Sequence, residues 1–279
     1  MKIAVAGKGG AGKTTLTAAL ARAYAKASSG PRGAGRVVAV DADPNNCLGL
    51  ALGFPPEVLA GLTPLSEMKD LLAERSGLPD ASGKGGSMFL LNPRVDDLLA
   101  RFAVEHDGIS LLVMGTVTKA GGGCLCPENS VLRALVRELL FEEGAVVLLD
   151  LEAGLEHLGR ATAEFVDAML IVSEPTSVSL QTAGRIAELA AQINLPTPGL
   201  VGNKVSSEAA AAFLREHADP LPVLGILPYV EELAVGGPVR LEGPFGEEIA
   251  RIKGKLEGEP QMNSGQSSAS AFTCGERSP

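Results

Sequence analysis

The chain has no tryptophan, two tyrosines, eight phenylalanines and three histidines in 279 residues. Nucleic-acid single strands are gripped by stacking bases on aromatic rings, so this shortage speaks against a base-stacking platform. Cations are also short, with 24 Lys plus Arg against 33 Asp plus Glu and a net charge of −9. Phosphate backbones need clustered cations, so no nucleic-acid partner is expected. No apolar run approaches the ~18 residues of a membrane span, and no membrane partner is expected. The opening Met1-Lys2-Ile3-Ala4-Val5-Ala6 reaches glycine too soon for a signal peptide. Cysteines number four. A cytoplasmic, reducing location is expected, where closely spaced thiols serve metals or redox chemistry more often than structural disulfides.

Hydrophobic residues make up 46 % of the chain, enough for a large core, and 34 glycines point to tight turns or backbone–ligand contacts. Short apolar runs at 2–6, 37–42, 110–115, 145–150, 168–173, 199–203 and 223–227 are leucine-rich or β-branched and do not alternate. Such runs fit strands buried on both faces of a parallel sheet. Helix-period segments at 14–27, 127–141, 176–193, 206–217 and 244–256 lie between them. On one face fall Leu16, Leu20 and Tyr24, and in the second helix Val131, Leu135 and Leu139. The alternation predicts an α/β fold, a doubly wound, mostly parallel sheet flanked by helices. One domain over 1–257 is expected, with a mobile loop at 78–87 and a disordered tail at 258–279, where residues are small and polar.

The strongest motif is Gly7-Lys8-Gly9-Gly10-Ala11-Gly12-Lys13-Thr14, followed by Thr15. It fits G-x-x-x-x-G-K-[ST] between a predicted strand and a predicted helix, the setting of a P-loop. Its glycines let backbone N–H groups turn around anionic oxygens, and the helix N-terminus adds partial positive charge. Lys13 is expected on the β and γ phosphates and Thr14 on Mg²⁺. The extra lysine makes Lys-Gly-Gly-Ala-Gly-Lys-Thr-Thr resemble the deviant Walker A loop. That class contains the nitrogenase iron protein, septum-placing and plasmid-partition ATPases and the arsenite-pump ATPase. The resemblance implies that Lys8 reaches the nucleotide of a partner copy, and hence a homodimer that closes on ATP.

Val37-Val38-Ala39-Val40-Asp41-Ala42-Asp43-Pro44 is a strand running into a turn. Asp41 and Asp43 share a side if the strand persists. By resemblance to the same class, Asp43 orients the attacking water and supports the Mg²⁺ shell; the alternative is two carboxylates ending a strand in solvent. Val146-Val147-Leu148-Leu149-Asp150 has the Walker B pattern, with Asp150 directed at Mg²⁺ through water. In the following Glu152-Ala153-Gly154, Gly154 can bring an N–H to the γ-phosphate; the role of His157 stays open. The base is assigned to Asn203, whose amide can donate to and accept from adenine. Ser206 stands where a guanine reader needs a carboxylate, so ATP is favoured over GTP. Leu227-Pro228-Tyr229 is similar to the adenine-side loop of the class, which places Pro228 there.

Gly121-Gly122-Gly123-Cys124-Leu125-Cys126-Pro127-Glu128 narrows function further. Pro127 suits the first turn of a helix, so Cys126 sits near an N-terminus that favours its thiolate. Two thiolates do not complete a tetrahedral soft-metal site, but two copies about an axis supply four. The alternative is that these are small buried hydrophobes.

Val40-Asp41-Ala42-Asp43-Pro44-Asn45, the 121–129 string and Leu151-Glu152-Ala153-Gly154-Leu155-Glu156-His157-Leu158-Gly159-Arg160 together resemble the accessory ATPases that mature carbon monoxide dehydrogenase. The resemblance covers about residues 1–257. It implies an ATP-hydrolysing homodimer that carries Ni²⁺ or Zn²⁺ on Cys124 and Cys126 and supports nickel insertion into a client metalloenzyme. Acetyl-CoA synthase as client, an iron–sulfur carrier ATPase, or a septum-placing or partition-type switch remain the other readings.

Overall fold

The computed structural model describes residues 1–28, 35–77, 90, 93–115, 127–152, 165–196 and 198–258. Cys124, Cys126, Gly154, His157, Cys274, the segment 78–87 and the tail from 259 lie outside the described residues. Among those described, eight strands form one sheet: β1 (Lys2–Gly7), β2 (Val37–Ala42), β3 (Val104–His106), β4 (Ile109–Val113), β5 (Val146–Leu151), β6 (Ala168–Ser173), β7 (Gly199–Val205) and β8 (Val223–Pro228). The order is β3-β4-β2-β5-β1-β6-β7-β8. Every neighbouring pair is parallel except β3 with β4. The helices are α1 (Lys13–Ser28), α2 (Leu48–Ala51), α3 (Pro56–Ala60), α4 (Lys69–Ser76), α5 (Leu98–Phe102), α6 (Pro127–Phe141), α7 (Ser177–Gln192), α8 (Glu208–His217), α9 (Glu231–Ala234) and α10 (Gly243–Leu256).

The non-alternating strands are explained by two apolar layers. Ile3, Val5, Val37, Ala39 and Leu148 face Leu16, Leu20 and Tyr24 of α1 and Ile249 and Ile252 of α10. The intervening residues Ala4, Ala6, Val38, Val40 and Leu149 face Val131, Leu135 and Leu139 of α6 and Ile186 of α7. Both faces of the central strands are therefore apolar, and burying each Leu or Ile contributes roughly 1.5–3 kcal/mol. The two stripes expected on α1 and α6 are the ones buried.

Helix starts follow local chemistry. Thr176 accepts a hydrogen bond from the Ser179 N–H at 3.2 Å, and Ser207 accepts one from the Ala210 N–H at 3.2 Å, each satisfying an otherwise orphaned donor. At the β8 edge, Glu248 Oε1 accepts from Ile226 N–H at 2.9 Å and Lys255 Nζ donates to the Leu224 carbonyl at 2.7 Å. Side chains of α10 thus occupy backbone groups that an edge strand leaves open to pairing. No helix of the described residues is long and apolar enough to cross a membrane. The parallel strands all end on one edge of the sheet, and β1, near its centre, delivers the phosphate loop there.

Candidate functional site

The loop leaves β1 at Gly7, where φ is +154° and an added Cβ would lie 2.5 Å from the Val172 carbonyl oxygen of β6. Only glycine lets the chain pass the neighbouring strand so closely. Gly10 and Gly12 also have positive φ, +78° and +99°. The loop turns on a hydrogen bond from Ala11 N–H to the Lys8 carbonyl at 3.1 Å, and α1 begins with Leu16 N–H donating to the Gly12 carbonyl at 3.0 Å. Gly9 and Gly10 are exposed, Lys8, Thr14 and Thr15 half-buried, and Lys13 buried. The Lys13 ammonium lies 3.8 Å from Asp43 Oδ2.

β2 stops at Ala42, so Asp41 and Asp43 do not continue on one strand. Asp43 lies in the bend beyond it, its Oδ1 accepting from the Asn45 N–H at 2.9 Å and the Asn45 amide at 2.8 Å. Asp41 is fully buried and accepts from Leu48 N–H at 2.9 Å and Asp43 N–H at 3.3 Å. Its side chain therefore ties the start of α2 to the turn that carries Asp43. Its backbone carbonyl accepts from Met114 N–H at 2.9 Å and Gly115 N–H at 3.0 Å, where the chain leaves β4. Burial pushes its pKa up to about 6, against the pull of the Leu48 and Asp43 donors.

Asp150 stands beside Asp41 in the parallel register of β2 and β5 and is likewise fully buried. Among the described residues neither carboxylate oxygen has a partner in full hydrogen-bond geometry, and the Thr14 hydroxyl is the donor that stands near it. Burial first, and then the Asp41 charge, push its pKa up to about 7; the Thr14 hydroxyl and the Lys13 ammonium pull the other way. A buried carboxylate so poorly supplied with donors is costly, and its oxygens beside a threonine hydroxyl are the hard donor set that Mg²⁺ takes. Thr14 and Asp150 thus fit the cation of a nucleotide site.

On the other side of the loop, Asn203 is buried, and its amide nitrogen donates to the Ala11 carbonyl at 2.9 Å. The side chain expected at adenine is placed by the structure on the phosphate loop. Pro228 ends β8 half-buried, in register with Val205, whose carbonyl accepts from Tyr229 N–H at 3.0 Å. Sequence reasoning passed over two groups here: the buried anchor Asp41, and Lys204, which reaches both Gly10 and Glu174. The repeated Asp-x-Asp was a signal for the first; the second had none beyond its place after Asn203. Cys47 is exposed, with its thiol donating to the Asn45 carbonyl at 3.3 Å. The helix expected behind the cysteine pair starts at Pro127.

A strand–loop–helix phosphate cradle, a buried lysine beside it and a carboxylate post define a P-loop ATPase. A family model described as the CobQ/CobB/MinD/ParA nucleotide binding domain matches residues 2–236. The chain is 47 % identical over 229 residues to the carbon monoxide dehydrogenase accessory protein CooC of Rhodospirillum rubrum, covering 82 % of this chain and 84 % of that one. It is 41 % identical over 259 residues to an uncharacterized ATP-binding protein of Methanocaldococcus jannaschii, covering 90 % and 96 %. Among solved structures, the MinC:MinD cell division protein complex of Aquifex aeolicus matches with a TM-score of 0.62 at 20 % identity, covering 93 % and 96 %; at that identity the likeness speaks for the fold. The chain belongs to the CobQ/CobB/MinD/ParA nucleotide-binding family, and the likeness to carbon monoxide dehydrogenase accessory ATPases expected from its sequence is borne out.

Proposed function

We propose that this ATPase serves the maturation of a nickel carbon monoxide dehydrogenase, in the cytoplasm, as a homodimer that closes on ATP and carries one Ni²⁺ or Zn²⁺ on Cys124 and Cys126 of its two copies. The observation that carries the client assignment is the 47 % identity to the accessory protein over most of both chains. The double hydrogen bond from Met114 and Gly115 to the Asp41 carbonyl supports a link between the nucleotide and the cysteines. It fastens the root of the segment containing them to the residue whose side chain holds the Asp43 turn.

In this reading Gly7, Gly9, Gly10, Ala11, Gly12, Thr14 and Thr15 surround the triphosphate, with Gly154 added at its γ end. Lys13 leaves Asp43 for the β and γ phosphates, because the triphosphate offers more negative charge than one carboxylate. Asp43, released, orients the attacking water. Thr14 and Asp150 hold Mg²⁺, which when bound offsets charge on the phosphate oxygens. Lys8 reaches the partner's nucleotide, and Asn203 and Pro228 border adenine. Two thiolates from each copy make a four-sulfur site suited to either metal.

The test is equilibrium dialysis with Ni²⁺ and with Zn²⁺, combined with light scattering. One metal per dimer is expected, lost when Cys124 and Cys126 are both replaced by Ser, with ATP hydrolysis in the absence of client retained. ATP or metal should each drive dimerisation, and Lys8→Ala should weaken the ATP effect alone. One metal per monomer, or binding that survives the double replacement, would contradict the shared site.

A further inference from the structure

We infer that Lys204 is a positioning residue for the phosphate loop, clamping the Gly10 carbonyl so that the anion cradle is already shaped before nucleotide arrives. Its ammonium donates to the Gly10 carbonyl at 2.6 Å and to Glu174 Oε1 at 2.8 Å. The preceding side chain, Asn203, holds the next carbonyl, that of Ala11, at 2.9 Å. Consecutive side chains of a strand normally point to opposite faces. Here both reach the same loop, because the register of β7 with β8 shifts between Gly202 and Val205 and Lys204 takes a left-handed φ of +58°. A non-glycine residue in that region costs conformational energy, and such strain is tolerated where the surroundings enforce it.

The physical need for the clamp comes from the glycines. Gly10 and Gly12 flank the peptides 10–11 and 11–12, both have positive φ, and a Cβ at Gly10 would meet nothing within 4 Å. Packing therefore does not restrain the loop at Gly10. In a trans peptide the carbonyl and N–H point in opposite directions, so holding a carbonyl outward aims the following N–H inward. Asn203 does this for the Gly12 N–H. Lys204 does it for the Ala11 N–H, which makes the turn to the Lys8 carbonyl. Glu174 keeps the ammonium from swinging into solvent or onto the phosphates, so this lysine serves the loop's outer side and leaves the triphosphate to Lys13.

Because the clamp acts on the cradle and not on the reacting phosphate, its loss should weaken ADP and ATP by the same factor. The informative variant is Lys204→Gly, which accepts the left-handed backbone and removes the side chain with its ammonium. Stopped-flow release of a fluorescent N-methylanthraniloyl-ADP should be about threefold to tenfold faster, the range for a charged hydrogen bond discounted for exposure. ATP affinity should fall by a matching factor, while the nucleotide-free protein melts no lower than the unsubstituted one. Lys204→Arg, which restores a cation in reach of Gly10 and Glu174, should recover most of the retention. The inference is overturned by an unchanged release rate in Lys204→Gly, by a loss confined to ATP, or by a loss that Lys204→Arg does not repair.

Discussion

The ends of β2 and β5 lie side by side, and each delivers a fully buried aspartate, Asp41 and Asp150. The two are not equivalent. Asp41 spends its oxygens on the N–H groups of Leu48 and Asp43, whereas Asp150, among the described residues, has no backbone donor and only the Thr14 hydroxyl nearby, outside full hydrogen-bond geometry. A buried polar group costs little when it is paired and much when it is not. The first aspartate therefore builds the site, and the second is the one that the proposed function gives to a cation. Burial raises the pKa of both, but Asp150 further, to about 7 against about 6, because its neighbours include the Asp41 charge and lack those backbone donors.

The largest effect that could break this contrast is on turnover. Asp150→Asn should lower Mg²⁺-dependent ATP hydrolysis by on the order of a hundredfold or more, yet raise the melting temperature of the nucleotide-free protein at pH 8, where the unpaired charge would otherwise be present. A variant that is both slow and destabilised would make Asp150 a structural residue like its neighbour. Next, Asp43→Ala should bind ATP while hydrolysing it roughly a hundredfold more slowly; full turnover would remove Asp43 from the water-orienting role. Asp41→Ala should act on stability, costing about 1–3 kcal/mol in urea unfolding as two backbone donors lose their acceptor.

The smallest effect is on pH dependence. Both folded-state pKa values are raised above the ordinary carboxylate value of 3.8. The folded protein then holds protons that the unfolded chain has released. Stability is fully present below that ordinary value and is lost as pH rises through about 6 for Asp41 and about 7 for Asp150. Melting curves without nucleotide should show this decline between about pH 4 and pH 7. Asp150→Asn should remove its upper part, and Mg²⁺ with ATP should flatten the same part.

The same contrast divides what was legible in the amino-acid sequence. The phosphate loop, the seven parallel strands and the five long helices were visible because their signals are local: a fixed glycine–lysine spacing, apolar runs and a helical period. α6 begins and ends where its period predicted, at Pro127 and Phe141. β3, with three residues, and α2 and α9, with four each, are too short to show a period. The fate of Asp41 was hidden because it depends on where α2 starts in space, seven residues on. Lys204 was hidden because nothing in Gly-Asn-Lys-Val announces a left-handed residue that turns two successive side chains to one loop. Asn203 was assigned to the base from its chemistry alone, and its bond to Ala11 is a task that only the approach of β7 to the loop reveals.

The measurement that bears most directly on a cation post at Asp150 is an electron paramagnetic resonance titration of Mn²⁺, standing in for Mg²⁺, in the presence of ATP. The unsubstituted protein and Asp41→Asn should each hold one Mn²⁺ per nucleotide, and Asp150→Asn should lose at least about tenfold in affinity, as expected when a charged ligand-side partner is removed. Equal Mn²⁺ affinity in Asp150→Asn, or a greater loss in Asp41→Asn, would contradict the assignment.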